Sequence, residues 1–351
     1  MNRKSFLKSF IGAGVGSFVV NNAFAGTEET KSLSSQAIIP PYLKPGDTVG
    51  ITCPAGAVEL EKVQCCCNAL EQWGLNVTFG KTVGKKWQRF GGTDEERLED
   101  FQGMLDDKNI KAVIFGKGGY GTLRIIDKID WSNFKQQPKW LVGYSDLTVV
   151  HLHVHNNLNM STLHADMSSG FSNNPSDISV ASIKDALFGS IMKYAVKSHA
   201  MNRPGNTTGR LVGGNLTMLN ACAASKSDVN TKGKILFIED VSEFKYNIDR
   251  MMMTLKRAGK LDQLAGLIVG EFTAIRSNEE DSFNMCVEEI IGDKVKEYDY
   301  PVCFHFPAGH IAGNRALKMG VTYELSVGIE TSNLTEIVPP PPPVNVNIFQ
   351  S

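Results

Sequence analysis

Short apolar runs alternate with segments of helical spacing along most of the chain. The run Thr48-Val49-Gly50-Ile51-Thr52 predicts a strand that ends in the turn Cys53-Pro54-Ala55-Gly56. Residues 59–73 repeat apolar positions at helical intervals and stop at Gly74, a helix-ending signal. Residues 76–79 predict a second strand and 94–105 a helix with a polar face. The unbroken apolar run 112–115 predicts a third strand buried on both faces. A helix is expected over 120–129, a fourth strand over 140–143, and a helix starting near Asp146. Short apolar strands alternating with helices argue for an α/β fold, an open, mostly parallel sheet flanked by helices. This N-terminal domain is assigned to residues 39–170.

The stretch 171–207, with Ser, Asn and Pro early and Asn202-Arg203-Pro204-Gly205-Asn206 late, reads as a link between domains. A smaller, β-rich C-terminal domain over 208–337 opens with Gly209-Arg210-Leu211-Val212-Gly213-Gly214-Asn215-Leu216. Strands are expected there at 235–238, 266–269 and 321–325, with a helix at about 248–258. The remaining 338–351 is a proline-rich tail. At the other end, residues 1–25 read as a signal peptide. Arg3, Lys4 and Lys8 precede an apolar stretch, and Ala23-Phe24-Ala25 supplies the small residues of a cleavage site. Residues 3–8 resemble a twin-arginine signal with Lys as its second basic residue, so either export route stays open. An uncleaved amphipathic N-terminus is the competing reading. Residues 26–38, rich in Ser, Thr, Glu and Lys, are expected to be flexible, and the expected location is periplasmic.

At 351 residues the chain exceeds one ordinary core of ~100–200 residues, in keeping with two domains. Lys and Arg total 36 against 37 Asp and Glu, a formal net charge of -1. That balance carries no electrostatic footprint for nucleic acid. No run approaches the ~20 apolar residues of a membrane span. Seven cysteines are odd in number and lack framework or zinc-finger spacing, so they read mainly as small buried hydrophobes. His151 and His155 share a helical face and, with Asp166, form a conceivable zinc set. No Glu stands between them as a metalloprotease base, and the competing reading is a packed helix carrying His151, His153 and His155, with His164 nearby. No metal and no cofactor is expected.

Three places that could carry chemistry lie just beyond apolar strands, where open α/β sheets form their ligand crevice. In Leu141-Val142-Gly143-Tyr144-Ser145-Asp146, a strand turns sharply into a helix and leaves the Ser145 hydroxyl at the turn. The arrangement resembles a nucleophile elbow without its last glycine, and the Asp146 N–H falls where a helix N-terminus favours an oxyanion. Taken alone, Ser145 or Asp146 reads more readily as a helix cap, which is common at such turns. Gly116-Lys117-Gly118-Gly119-Tyr120-Gly121 allows close backbone approach to a ligand, with a plain tight turn as the alternative. Its phase fits neither a P-loop nor a dinucleotide fingerprint. Lys117 and Tyr120 are its candidate substrate-binding side chains. Glu239 follows the apolar run 235–238, and His310 lies in a loop between apolar segments, where a surface role is the alternative. A serine hydroxyl becomes a useful nucleophile when an imidazole takes its proton and a carboxylate orients that imidazole. Ser145, His310 and Glu239 supply those three types, with Asp240 and Glu243 as neighbouring acids.

These motifs, together with Gly213-Gly214-Asn215-Leu216, Phe237-Ile238-Glu239-Asp240 and Gly309-His310, resemble the LD-carboxypeptidases, or muramoyltetrapeptide carboxypeptidases. The resemblance runs from about residue 40 to 337. It implies a catalytic triad of Ser145, Glu239 and His310, and an oxyanion hole formed by the N–H groups of Asp146 and the Gly118-Gly119 turn. It also implies a homodimer, and a murein tetrapeptide substrate cut between the L-centre of a diamino acid and terminal D-Ala. A sister branch of immunity peptidases cleaves a peptide–nucleotide antibiotic. Two departures stand out: Lys117 occupies a position where the family commonly has Arg, and the best-known members are cytosolic. An exported binding protein that holds a peptide without cleaving it is the rival from another class.

Overall fold

The computed structural model describes residues 37–174, 176–276 and 283–338. The expected signal peptide over 1–25, nearly all of the expected flexible segment 26–38 and the tail beyond Val338 lie outside the described residues.

Along the chain the first elements are β1 (Thr48–Thr52), α1 (Gln64–Gln72), β2 (Asn76–Phe79), α2 (Asp94–Asp106), β3 (Ile110–Phe115), α3 (Ser132–Gln136), β4 (Trp140–Gly143), α4 (Thr148–Leu158) and β5 (Thr162–His164). Next come α5 (Ile178–Leu187), β6 (Lys193–Lys197), β7 (Gly205–Asn215), α6 (Leu216–Ala221), β8 (Ile235–Val241), α7 (Lys245–Arg257) and β9 (Gly266–Thr273). The last are α8 (Val287–Val295), β10 (Val302–Cys303), β11 (Leu317–Met319), β12 (Thr322–Val327) and β13 (Thr331–Glu336).

Local chemistry explains the elements that matter most. Thr93 and Glu96 form a capping box that starts α2, with three acidic residues in its first turn to complement the helix dipole. Strand β4 is buried at all four positions, as its apolar run demands. Helix α4 is buried from Thr148 through His155 and ends at Asn159 in the left-handed conformation, a common helix stop.

Two sheets result. The first runs β11-β5-β4-β3-β1-β2 and is parallel except for β11 against β5. The second runs β10-β9-β8-β7-β12-β13-β6, parallel from β10 to β7 and antiparallel from β7 to β6. The sheets share their core. One apolar cluster joins Val113, Phe115 and Leu141 to Leu236, Ile238 and Leu267; another joins Ile51 and Val142 to Phe237 and Ile268.

One expectation needs correction. Residues 120–129 form two short 3-10 turns, at Thr122–Arg124 and Ile126–Lys128, instead of a helix. Gly121 adopts φ 141°, and the Thr122 N–H is taken by the Asp146 carboxylate, so the segment closes i→i−3 bonds. The stretch 171–207, read as a link, holds α5, the edge strand β6 and the start of β7. Its polar character belongs to exposed positions of structured elements. All seven cysteines are free; Cys53, Cys66, Cys67, Cys222 and Cys303 are buried and Cys286 is exposed. Among the described residues, no helix is long and apolar enough to cross a membrane.

Candidate active site

Ser145 stands at the end of β4 in an abrupt turn. Tyr144 is extended, Ser145 has φ +62°, and a 3-10 turn over Ser145–Leu147 leads into α4. A left-handed non-glycine residue costs about 1–2 kcal/mol, and such outliers cluster at functional sites. The glycine loop lies against this turn. A Cβ on Gly118 would sit 3.0 Å from Ser145 Cβ and 3.1 Å from its Oγ, so only glycine lets the loop come this close. Among the described residues, no backbone bond takes the N–H of Gly118, Gly119 or Asp146. These are the three expected oxyanion-hole residues. Asp146 is itself buried; burial pushes its carboxyl up, and its Oδ2 accepts the Thr122 N–H at 2.9 Å. That bond anchors the far end of the glycine loop. Fully buried Arg97 adds a second anchor, donating to the carbonyls of Gly121 and Pro54. Lys117 and Tyr120 are exposed.

Glu239 projects from β8 and is fully buried. Its Oε2 accepts a hydrogen bond from His310 Nδ1 at 2.7 Å. Its Oε1 accepts from Asn215 Nδ2 at 3.3 Å, and Asn215 pairs in register with Glu239 across β7 and β8. Asp240 faces elsewhere: it accepts from Thr217 N and Oγ1 at 2.9 and 2.8 Å, and from Asn215 Nδ2 at 3.0 Å. Burial, with the charge of Glu239, pushes Asp240 up to about 6. Glu243 bonds Asn247. Of the three neighbouring acids, Glu239 is therefore the one on His310.

The His310 loop is held from both sheets. The Glu271 N–H, from β9, donates to the Ala308 carbonyl at 3.0 Å. Buried Asn314 accepts the Gly309 N–H at 2.9 Å and donates to Asp166 at 2.8 Å, just beyond β5 of the first sheet. Burial pushes Asp166 up to about 6. Burial alone would pull the His310 imidazole down. The Glu239 bond and the charges of Glu239, Asp240 and Asp166 outweigh it and hold His310 above its ordinary value.

The His310 ring stands against Tyr144, the residue before Ser145, with ring centroids 4.7 Å apart. Among the described residues, no hydrogen bond joins His310 to the Ser145 hydroxyl. The start of α4, just after the nucleophile turn, is also tied to the end of β7: Thr148 Oγ1 accepts the Asn215 N–H at 3.0 Å. Asn215, Asn314 and Asp166 were not singled out as site-building residues by sequence reasoning. Asn215 lies within Gly213-Gly214-Asn215-Leu216 and Asn314 four residues after His310, but neither position reveals its long-range partners.

The histidines of α4 are core groups. His151 Nε2 meets the Gly143 carbonyl at 2.8 Å, His153 bonds Ser227 and His155 bonds Thr162. Burial lowers all three, His151 to about 4. Asp166, their supposed companion, is spent on Asn314. Among the described residues, no group of three or more His, Cys, Asp or Glu is placed to hold a metal ion.

Similarity to known proteins covers both halves of the chain. The model of the LD-carboxypeptidase N-terminal domain matches residues 49–165, and that of the LD-carboxypeptidase C-terminal domain matches 208–325. A probable murein peptide carboxypeptidase of Bacillus subtilis is 33% identical over 299 residues, covering 84% of this chain and 93% of the relative. A murein tetrapeptide carboxypeptidase of Pseudomonas aeruginosa is 29% identical over 285 residues, covering 78% and 91%. Among solved structures, a muramoyltetrapeptide carboxypeptidase from Oxalobacter formigenes aligns with TM-score 0.74 at 24% identity, covering 82% of this chain and 98% of that one. The microcin C7 self-immunity protein MccF shares the fold with TM-score 0.77 at 20% identity, covering 86% and 99%.

Proposed function

This chain belongs to the LD-carboxypeptidase family and is a serine-type carboxypeptidase, and from that premise we propose that it removes terminal D-Ala from murein tetrapeptides through an acyl-enzyme on Ser145. The scissile bond in this reading joins the L-centre of a diamino acid to D-Ala. The observation that carries it is the 2.7 Å bond from His310 Nδ1 to fully buried Glu239, on an imidazole packed beside the strained Ser145 turn.

With Nδ1 engaged by Glu239, Nε2 is the nitrogen left to act as a base. It takes the Ser145 proton as Oγ attacks the peptide carbonyl. The developing oxyanion receives the N–H groups of Asp146 and the Gly118-Gly119 turn, each good donor being worth about 3 kcal/mol of barrier. Nε2 then returns the proton to the departing D-Ala amine, leaving an ester on Ser145. Water enters by the reverse sequence and releases the shortened peptide. Catalytic hydrogen bonds are often long without substrate and tighten in the Michaelis complex, which accommodates the open Ser145–His310 contact. Lys117 and Tyr120 face the substrate from the glycine loop. The N-terminal segment makes this an exported, periplasmic enzyme in the same proposal, checked by N-terminal sequencing of the secreted form for processing after Ala25.

The fold likeness to the immunity protein supplies one competing substrate, a peptide joined to a nucleotide. Purified protein is incubated with murein tetrapeptide and, separately, with an aspartyl nucleotide, and free D-Ala or free aspartate is measured. D-Ala release is expected. Cleavage of the nucleotide alone would transfer the chain to the immunity reading, and inertness toward both would overturn the proposal.

A further inference from the structure

We propose that a basic cavity beside the glycine loop is a subsite for carboxylates of the peptide substrate that lie away from the scissile bond. This rests on the peptidase reading of the neighbouring site.

The cavity has a volume of about 640 Å³, and its wall includes Lys62, Lys85, Lys86, Arg89 and Lys117 against a single acid, Glu59. Five of its eleven lining residues are cationic in a chain whose overall charge is -1. Lys85 is engaged by Glu96 at 3.0 Å. Among the described residues, no carboxylate lies within ion-pair distance of the charged ends of Lys62, Lys86, Arg89 or Lys117. Like charges gathered without partners repel one another, so their juxtaposition favours an incoming anion. Pockets of ~300–1,000 Å³ accept ligands of drug size, far more than a terminal alanine fills.

The cavity is also tied to the catalytic loop. The Gly56 N–H donates to the Gly118 carbonyl at 2.9 Å, and the neighbouring Ala57 N–H donates to the Arg89 carbonyl at 3.1 Å. Trp87 and Phe90 exchange both backbone bonds at 2.9 Å, which fixes the turn that presents Arg89. The Ser169 N–H donates to the Gly116 carbonyl at 3.2 Å. Lys117 therefore faces the cavity while Gly118, the next residue, packs on Ser145. A peptide whose carbonyl sits at Ser145 can lay its remaining chain along this wall. The cations stand on three separate chain segments around an open space, which suits several carboxylates spaced along a peptide better than one compact phosphate.

The test compares murein tetrapeptide bearing free side carboxylates with the same peptide carrying carboxamides there, its terminal carboxylate intact. Hydrolysis is followed for the wild-type protein and for the Lys62→Gln/Lys86→Gln/Arg89→Gln variant. An exposed ion pair changes an equilibrium by about 1.4- to 5-fold, so losing three should raise KM for the acid peptide about tenfold. The rise should shrink as salt is added, kcat should stay within about twofold, and KM for the carboxamide should hardly move. Equal KM for both peptides in the wild type, or an equal rise for both in the variant, would overturn the proposal. So would adenosine monophosphate competing more strongly than the acid peptide binds. If the wild type cleaves neither peptide, the peptidase reading fails. Calorimetric binding of acid peptide against carboxamide then still decides the subsite, with preference for the acid peptide expected and equal affinity contradicting it.

Discussion

Replacing Glu239 by Gln should disable the base without disturbing the fold. The two side chains match in shape, but the surrounding donors dictate how an amide must sit. Asn215 presents Nδ2 to the Oε1 side of Glu239, while its own Oδ1 is occupied by the Met218 N–H. An amide nitrogen turned toward Asn215 would set donor against donor. The amide oxygen must therefore face Asn215 and its nitrogen must face His310 Nδ1. That arrangement makes Nδ1 an acceptor, puts the ring proton on Nε2, and leaves nothing to take the Ser145 proton. Loss of a hydrogen bond to a charged partner costs about 1.5–3 kcal/mol, or roughly 10- to 150-fold in rate. The wrong tautomer adds to this; the corresponding change in the Ser-His-Asp template loses about 10⁴. The expected fall in kcat is thus about 10²–10⁴-fold, with KM little changed. Asp240→Asn is the comparison: Asp240 accepts from Thr217, the Val241 N–H and Asn215 but does not touch His310, so its loss should lower the melting temperature and cost less in kcat than Glu239→Gln. D-Ala release measured at saturating tetrapeptide, with thermal melts to confirm folding, reads both. A Glu239→Gln enzyme within threefold of wild type, or an equal loss in Asp240→Asn, would refute the assignment.

Three further outcomes follow from the same geometry. Because His310 is held above its ordinary value, kcat/KM should fall on the acid side with an apparent pKa above 6.5, and the Glu239→Gln limb should move lower. The sign for folding is the same: the His310–Glu239 pair stabilises fully below the imidazole's unfolded value and loses that contribution as pH rises through its folded one. Asn314→Ala strips the partner from the buried Gly309 N–H and from Asp166, each worth about 1–3 kcal/mol, so the melting temperature should drop. Loosening of the His310 loop should lower kcat about 10- to 100-fold with KM nearly constant; an unchanged kcat would remove Asn314 from the positioning role. Ser145→Gly relieves a left-handed serine, a gain of about 1–2 kcal/mol offset by ~0.5–1 kcal/mol of chain entropy. A melting temperature raised by about 2 °C in an inactive protein is expected, and a lowered one would argue against stored strain at the turn.

The parts of this molecule that could be read from sequence are those where one local rule dominates. Strands β1, β2 and β4 sit where their apolar runs placed them, and α2 begins at its capping box. Long-range partners hid the rest. The segment 120–129 has helical composition, yet its first N–H belongs to Asp146, far along the chain. Strand β11 has three residues and a lysine at its centre, an unpromising pattern for a buried strand. Lys318 is tolerated there because Glu336, on β13 of the other sheet, pairs with it at 3.0 Å. Candidate residues were visible because each follows an apolar run. Their supports, Asn215 and Asn314, act through contacts that spacing does not reveal. The histidines of α4 show the converse, a spacing suggestive of metal whose side chains are committed to core hydrogen bonds.

The account rests on Ser145 becoming covalently attached to substrate. Rapid quenching of the enzyme with murein tetrapeptide, followed by mass analysis of the peptide spanning residue 145, tests this most directly. The account predicts a transient adduct of the tetrapeptide lacking D-Ala on Ser145, absent from Ser145→Ala, which should release no D-Ala above background. Undiminished D-Ala release by Ser145→Ala would contradict it.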